Sequence, residues 1–469
     1  LKVTFSQNQA ELFKEASLDK NPLHFNKSYA RRTQFGSPVM HGAAATLKFI
    51  GIIFGTNIPQ IKFLKIDFVR PIYFETNYNF TFKKFKKYYS FHLKKGHLII
   101  VKGKISINEV FKFSYKERNF LGKDLQFKSN NDIYKVNSNQ KKHLKKLLKT
   151  FNLGFSENNL KVYSLLLWSS YFVGMKFPGK QALFTSLEFI LSNDKLFELK
   201  GIKGYLDNRF NVTQTFFTGN GFEGILSSLK RPEPDDISFE DIKKSVLELP
   251  SFNNKNILIT GSSRGFGNVL AKSFLSKNAN IYSVYNSYSK GVKELKLIKN
   301  KKVKNIKANL EKETDSKKIL KSLGKENLDV FICNAFPLID YQNFLEQDIS
   351  SFSGFIKSSL SMSIYPIFYL LKKMNKGSIV VLISSNWIID GKAGFSHYLT
   401  SKGALESLFK SLAKENKDIN FLLFRAPRML TDQTNLSIKK EKLISPKTVS
   451  AKLLKEIIVF PKNQNFLEI

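Results

Sequence analysis

Four side chains in this sequence are of the right type and spacing to move protons. Tyr398 and Lys402 lie four residues apart, which on a helix places them on one face. An ammonium beside a phenol lowers the phenol's pKa, so the pair can exchange a proton with an alcohol or ketone near neutral pH. A serine hydroxyl would orient the carbonyl oxygen, and Ser385 precedes Tyr398 by thirteen residues. Near the other end, Asp19 and His24 can form a carboxylate–imidazole pair that holds a water. Such a pair adds water across a polarised double bond, or removes it, by general acid–base catalysis. Gly42 opens an apolar helical stretch and offers a backbone N–H to a thioester carbonyl oxygen. The same residues also fit a plainer reading, in which Asp19 caps a turn before Pro22 and His24 packs under that helix.

A third constellation concerns a cofactor. Thr260-Gly261-Ser262-Ser263-Arg264-Gly265-Phe266-Gly267 stands between a strand-like run and a helical pattern. Glycines there permit a tight turn and let backbone approach a pyrophosphate, which rests at the helix N-terminus. Gly261, Ser263, Arg264, Gly265, Phe266 and Gly267 are the expected contacts. An NAD-binding site of this kind places a carboxylate at the end of the second strand, on the ribose 2′-hydroxyl. Here Asn286 and Ser287 hold that place, with Lys290 close by and Arg264 in the turn. A 2′-phosphate is repelled by none of these groups, so the charge argument favours NADP(H).

The elements that must position these groups follow from the hydrophobic pattern. From residue 256 onward, strand-like runs at 256–259, 280–285, 303–308, 329–333, 378–383 and 420–424 alternate with helical periods, including 360–374 and 404–415. That alternation predicts a doubly wound parallel α/β sheet. The first 230 residues read otherwise. A helical stretch at 42–54 precedes aromatic and β-branched runs at 63–82 and 88–107, which suggests an antiparallel sheet wrapped round one helix. The plan then recurs, with a helix at 163–174 and strands at 182–191, 197–205, 211–217 and 222–229. Domains are therefore expected at 1–125, 126–232 and 253–469, with the proline-marked segment 233–252 as a linker.

On these residues, the chain from 252 to its end resembles the short-chain dehydrogenase/reductases, in the TGxxxGxG turn, the Tyr398-x-x-x-Lys402 pair and the serine before it. The resemblance implies a Rossmann fold, a catalytic set of Ser385, Tyr398 and Lys402, and Asn334, Tyr398 and Lys402 as further cofactor contacts. Asn286 joins them at the second strand. There are departures: the family's Asn-Ala-Gly reads Asn334-Ala335-Phe336, its helix Asn falls at Ser359, and its Pro-Gly reads Pro427-Arg428. Ser384 can stand in for Ser385 if the loop shifts by one. The stretch Asp19-Lys20-Asn21-Pro22-Leu23-His24, with Ala30-Arg31, Phe35-Gly36 and His41-Gly42, resembles the MaoC-like, hot-dog-fold (R)-specific enoyl thioester hydratases. That resemblance assigns Asp19 and His24 as the acid–base pair and Gly42 as oxyanion donor, leaves His41 structural, and makes a double hot dog the expected N-terminal fold. Substrates would be acyl-CoA or acyl carrier protein thioesters, and homo-oligomers are usual in both families.

Composition sets the outer bounds. With 42% hydrophobic residues, 469 residues can bury several cores. Cys333 is the one cysteine, which rules out an internal disulfide and a cysteine-based metal site; no metal is expected. The formal charge of +37 comes from lysines scattered through every segment rather than one patch, with no recognition motif, so nucleic acid is not an expected partner. A positive surface would still steer polyanionic thioesters. No apolar run reaches the length of a membrane span, and the chain is expected to be cytoplasmic. The reading is a bifunctional enzyme: an NADPH-dependent 3-oxoacyl/3-hydroxyacyl oxidoreductase joined to a 3-hydroxyacyl/enoyl hydratase. The alternative is a single reductase whose N-terminal half only binds the thioester.

Overall fold

The computed structural model describes residues 1–107, 123–126, 137–155, 159–191, 199–231, 237–287, 290–298, 302–339, 341–432, 434 and 443–469. The chain parts into two compact units at Glu233/Pro234.

In the first unit, β1 (Lys2–Val3), α1 (Gln7–Ser17), α2 (Lys27–Arg31) and α3 (Gly42–Phe54) precede β2 (Phe63–Phe68), β3 (Tyr78–Lys84), β4 (Tyr89–Lys95) and β5 (Leu98–Ser106). Then β6 (Lys123–Gln126), α4 (Ser138–Thr150) and α5 (Leu160–Tyr171) lead to β7 (Ala182–Leu191), β8 (Leu199–Asp207), β9 (Val212–Gly219) and β10 (Phe222–Lys230). The ten strands make one sheet in the order β1-β3-β4-β5-β2-β7-β10-β9-β8-β6. The first five strands and the last five therefore repeat one plan, mirrored in order about the β2–β7 pair. At that seam Lys65 faces Glu188, and the two form an ion pair of 2.9 Å. The helices α3 and α5 are buried along nearly their whole length, as apolar sequence all round a helix requires. Phe49 stacks on Phe80 within the resulting core, and the Phe91 ring is tilted against both.

Two expected strand runs break. Residues 63–82 divide into β2 and β3 because Arg70-Pro71 intervenes, and proline lacks the N–H that a ladder needs. Residues 88–107 turn at Gly96, whose φ of 57° suits glycine. The helix expected at 163–174 starts at Leu160 and ends in a wide π turn, Phe172–Lys176.

The second unit opens with α6 (Phe239–Ser245), which lies in the segment expected to be linker. Val246 and Phe252 after it are buried in the unit's core, with Phe239 and Leu249 packed alongside. β11 (Asn256–Thr260), α7 (Gly265–Ser276), β12 (Asn280–Tyr285), α8 (Lys290–Ile298), β13 (Val303–Lys307), α9 (Glu313–Leu323) and β14 (Leu328–Cys333) follow. After them come α10 (Ile349–Leu370), β15 (Met374–Ser385), α11 (Trp387–Asp390), α12 (Ser396–Glu415), β16 (Asn420–Ala426), α13 (Pro446–Ile458) and β17 (Phe466–Glu468). The sheet order is β13-β12-β11-β14-β15-β16-β17 and each pairing is parallel. Strand order reverses between β11 and β14, and ligands bind at the carboxyl ends of strands at such a switch point. Helix α12 begins eight residues before the periodicity indicated, so Tyr398 and Lys402 sit in its first two turns.

Candidate functional site

In the first unit the chain leaves α1 through Leu18, held at φ 65°, and delivers Asp19 into the interior at 2% exposure. The carboxylate accepts the Asn21 N–H at 3.1 Å and the Ser170 hydroxyl at 2.6 Å. Ser170 belongs to α5, 151 residues away, and no sequence signal announced it. Gly174 in the π turn allows the approach, since a Cβ there would stand 2.5 Å from Asp19 Oδ1. Asn21 caps the short turn Pro22–His24 and so aims His24 inward. The His24 Nδ1 lies 2.7 Å from the Val39 carbonyl oxygen, which makes it the N–H that donates and leaves Nε2 as the acceptor. The turn expected before Pro22 is therefore real, and the carboxylate still faces the histidine.

Burial pushes the Asp19 carboxyl up, opposed by His24 and by the two hydrogen bonds. Burial lowers His24, opposed by Asp19. Both partners are driven towards their neutral forms, which brings their two proton affinities closer together than in the isolated groups. His41 stacks on His24 at 3.6 Å with its Nε2 3.8 Å from Asp19 Oδ2. Donor atoms of Asp19, His24 and His41 all lie within 4.8 Å of one another. Stacked imidazoles, however, cannot both aim in-plane lone pairs at one ion roughly 2.0–2.1 Å from each, so the geometry suits acid–base work better than a metal. Gly42 is the first residue of α3, outside the intrahelical ladder, and a Cβ on it would meet the Phe68 ring at 2.7 Å.

In the second unit the Gly-rich turn follows β11. Gly261 has φ +68°, and a Cβ on Gly267 would stand 2.4 Å from the Gly261 oxygen and 2.5 Å from Asn334 Nδ2. Asn334 donates to the Thr260 carbonyl at 3.1 Å, and its own N–H and that of Ala335 bond Thr260 Oγ1. These ties lock the turn after β14 to the turn after β11. Gly265 starts α7 at φ +56° with almost nothing near its open side. No side chain caps this helix and no acid occupies its first turn, so its N-terminus suits an anion such as a pyrophosphate. Ser263 and Arg264 lie in the turn and Asn286 is exposed just past β12. Phe266 is the exception among the expected contacts. Its side chain is buried in the core, leaving only its backbone to a ligand.

Ser385 ends β15, and its side chain hydrogen-bonds Tyr398 and accepts the Trp387 N–H at 3.3 Å. Ser384 points elsewhere, into a buried cluster with Glu406 and Arg425, which removes it as the alternative. Ser359 donates to the Phe355 carbonyl within its own helix and does not extend the set. Burial raises the Tyr398 phenol and lowers the Lys402 ammonium to about 7. The expected depression of the phenol is thus not realised, because desolvation outweighs it and Lys402 donates to the Ile383 carbonyl at 2.6 Å. Phe336 and Trp387 meet the Tyr398 ring edge-on, and Phe355 and Phe395 back those two rings in turn.

The comparisons with known proteins fall on the same two regions of the chain. Residues 255–437 match the short chain dehydrogenase family model, and residues 1–100 match that of the MaoC like domain. The chain accordingly joins a short-chain dehydrogenase domain to a MaoC-like domain, and it is an enzyme. It is 27% identical over 163 residues to a dihydropteridine reductase of Dictyostelium discoideum, covering 35% of this chain and 67% of that protein. It is 26% identical over 186 residues to a sorbose reductase of Candida albicans, covering 37% and 65%. At the other end, 56 residues are 38% identical to an (R)-specific enoyl-CoA hydratase of Rhodospirillum rubrum, covering 12% of this chain and 38% of the hydratase. No helix among the described residues is long and apolar enough to cross a membrane.

Proposed function

We propose that the chain is bifunctional on acyl thioesters. The first unit interconverts trans-2-enoyl and (R)-3-hydroxyacyl thioesters, and the second interconverts 3-hydroxyacyl and 3-oxoacyl thioesters with NADP(H). The observation that carries the reading is that each unit holds a buried pair of proton-exchanging groups, both shifted towards their neutral forms. The 3-hydroxyacyl thioester is the one compound that both pairs can process.

In hydration, the Gly42 N–H would donate to the thioester oxygen while Asp19 and His24 hold the water. Asp19 accepts a water proton as the hydroxyl adds to C3 and then returns it to C2, while His24 Nε2 accepts a hydrogen bond from the water's other O–H and holds it in place. In the second unit the cofactor supplies or accepts the hydride. Ser385 orients the substrate oxygen, and Tyr398 gives up or takes the proton on that oxygen. The Gly261–Gly267 turn would hold the pyrophosphate, with Asn334 stiffening it. Asn286, beyond β12, carries no charge to oppose a 2′-phosphate, which supports NADP(H) over NAD. The aromatic lining favours a substrate with an apolar chain. A coenzyme A or carrier-protein thioester, a homo-oligomer, and a cytoplasmic setting complete the proposal. In the first unit, a double hot dog is our reading of the mirrored five-strand halves.

The alternative, a first unit that only binds the thioester, leaves the buried Asp19–Ser170 contact without purpose. The test uses trans-2-enoyl-CoA and NADP⁺ with the full chain, following NADPH absorbance and product masses. Asp19→Asn should lower hydration by about 10²–10⁴-fold while sparing 3-oxoacyl reduction, and Tyr398→Phe should do the reverse. Loss of both activities in either variant overturns the independent-site reading, and reduction without hydration in the unaltered chain favours the alternative.

A further inference from the structure

Phe336 stands directly after Asn334 and Ala335, whose ties to Thr260 fix where the backbone enters the cleft. From there its ring crosses the reaction centre. The Lys402 ammonium lies 4.1 Å from the ring centroid, and the Tyr398 ring meets it edge-on at 5.3 Å and 88°. The Phe355 ring backs it at 5.9 Å. Lys402 is 5% exposed and has the Ile383 carbonyl on another side. The carboxylate one helical turn further on, Glu406, is engaged by Arg425 and Ser384. A buried ammonium is thus held by one carbonyl oxygen and, most closely, by the Phe336 face, with the Tyr398 ring farther off at 5.9 Å; such contacts strengthen as water is removed.

We propose that Phe336 is a lid over Lys402, occupying the face of the ammonium through which a dinucleotide's sugar hydroxyls would engage it, so that binding must displace the ring. This rests on reading the second unit as a dinucleotide-dependent oxidoreductase. Phe336 then sets dinucleotide affinity without touching the Gly-rich turn. The lid also explains why Lys402 is directed at Ile383 and a phenylalanine ring rather than lowering the Tyr398 phenol. The resting arrangement keeps the pair dry, and displacement of the ring frees a donor of Lys402 at the moment the ligand arrives. The neighbouring aromatics give the displaced ring apolar surface to rest on, which keeps the exchange reversible.

The experiment titrates the full chain, Phe336→Ala and Phe336→Leu with NADPH, by calorimetry and by quenching of tryptophan fluorescence. Trp387 lies 6.5 Å from Tyr398, ring centre to ring centre, and reports on this end of the cleft. The fragment 2′,5′-ADP, which has no nicotinamide end, is titrated alongside. The expected result is about tenfold tighter NADPH binding by Phe336→Ala and about threefold by Phe336→Leu, which keeps bulk but loses the aromatic face, with 2′,5′-ADP unchanged. Circular dichroism and thermal melting identify a variant that has failed to fold, and Phe336→Leu serves as the conservative replacement. NADPH binding that is unchanged or weaker in both folded variants overturns the lid while leaving the dinucleotide reading intact. Equal shifts for NADPH and 2′,5′-ADP also overturn it, since they point to a general effect on the cleft. Absence of binding by the unaltered chain to either ligand, or to NADH, overturns the dinucleotide reading, and the lid with it.

Discussion

The two halves of the ten-stranded sheet are built alike and equipped differently. Gly103 on β5 leaves room for the Phe91 ring and the Lys65 carbonyl, and Gly224 on β10 does the same for Phe217 and the Glu188 carbonyl. A Cβ would stand 2.3 Å and 2.2 Å from the two rings respectively. Even the exits from α1 and α4 correspond. Leu18 at φ 65° delivers Asp19 against Gly174 at the end of α5, and Asn152 at φ 54° delivers Leu153 against Gly51 near the end of α3. One half therefore puts a carboxylate where the other puts a leucine. The mirrored halves thus bury a carboxylate at one place and a leucine at the other, each against the helix of the opposite half. The difference lies in what is buried at one position, not in the fold around it.

That comparison can be broken by altering the two glycines. Gly174→Ala would place a methyl 2.5 Å from Asp19 Oδ1, so the carboxylate must move. Enoyl hydration should fall by about 10²-fold with NADPH-dependent reduction retained. Gly51→Ala, its counterpart, would place a methyl 2.7 Å from the Phe151 carbonyl and 3.1 Å from Leu153. It should cost about 1–3 kcal/mol in denaturant unfolding while turnover per folded molecule stays within about twofold. Equal catalytic losses from both would mean that the second half also works on substrate.

Ser170→Ala sharpens the same point with a smaller effect. The hydroxyl stabilises the ionised Asp19, whose carboxyl burial already pushes up. Removing it raises that pKa further, and hydration needs the carboxylate. The acid limb of the kcat/KM profile should therefore move to higher pH, with about a tenfold loss below the limb and little change above it. An unmoved acid limb would argue that Asp19 is not the base.

The smallest effect is expected at the seam. Lys65→Met leaves Glu188, 6% exposed at its side chain, without the ammonium now 2.9 Å away. Unfolding free energy should drop by about 1–3 kcal/mol, and Lys65→Met with Glu188→Met should recover most of it. Additive losses in that cycle would show that the pair does not couple the halves.

Much of this was legible in order along the chain. The αβ alternation after residue 256, the Gly-rich turn, and the Tyr398–Lys402 spacing all depend on neighbours within a few residues, where backbone geometry dictates periodicity. Strand β12 and helix α3 fall where the pattern put them. Elements whose burial depends on distant partners were harder to see. The segment around α6 carries proline and acid and so resembles linker, yet Val246 and Phe252 find a core to enter. Helix α10 runs back to Ile349 because Asp348 caps it through Ser351, a signal too short to read without the packing beside it.

The sequence by itself determined which residues can carry protons and the local turns that present them, because caps, glycines and helical spacing act over a few residues. Tertiary structure alone decided that Ser170 from the second half holds Asp19, that Ser385 rather than Ser384 reaches Tyr398, and that Phe336 covers Lys402. It decided the pKa directions too, since burial is a property of what the rest of the chain brings to a site. A sequence names its ionisable groups, but only the fold removes water from them.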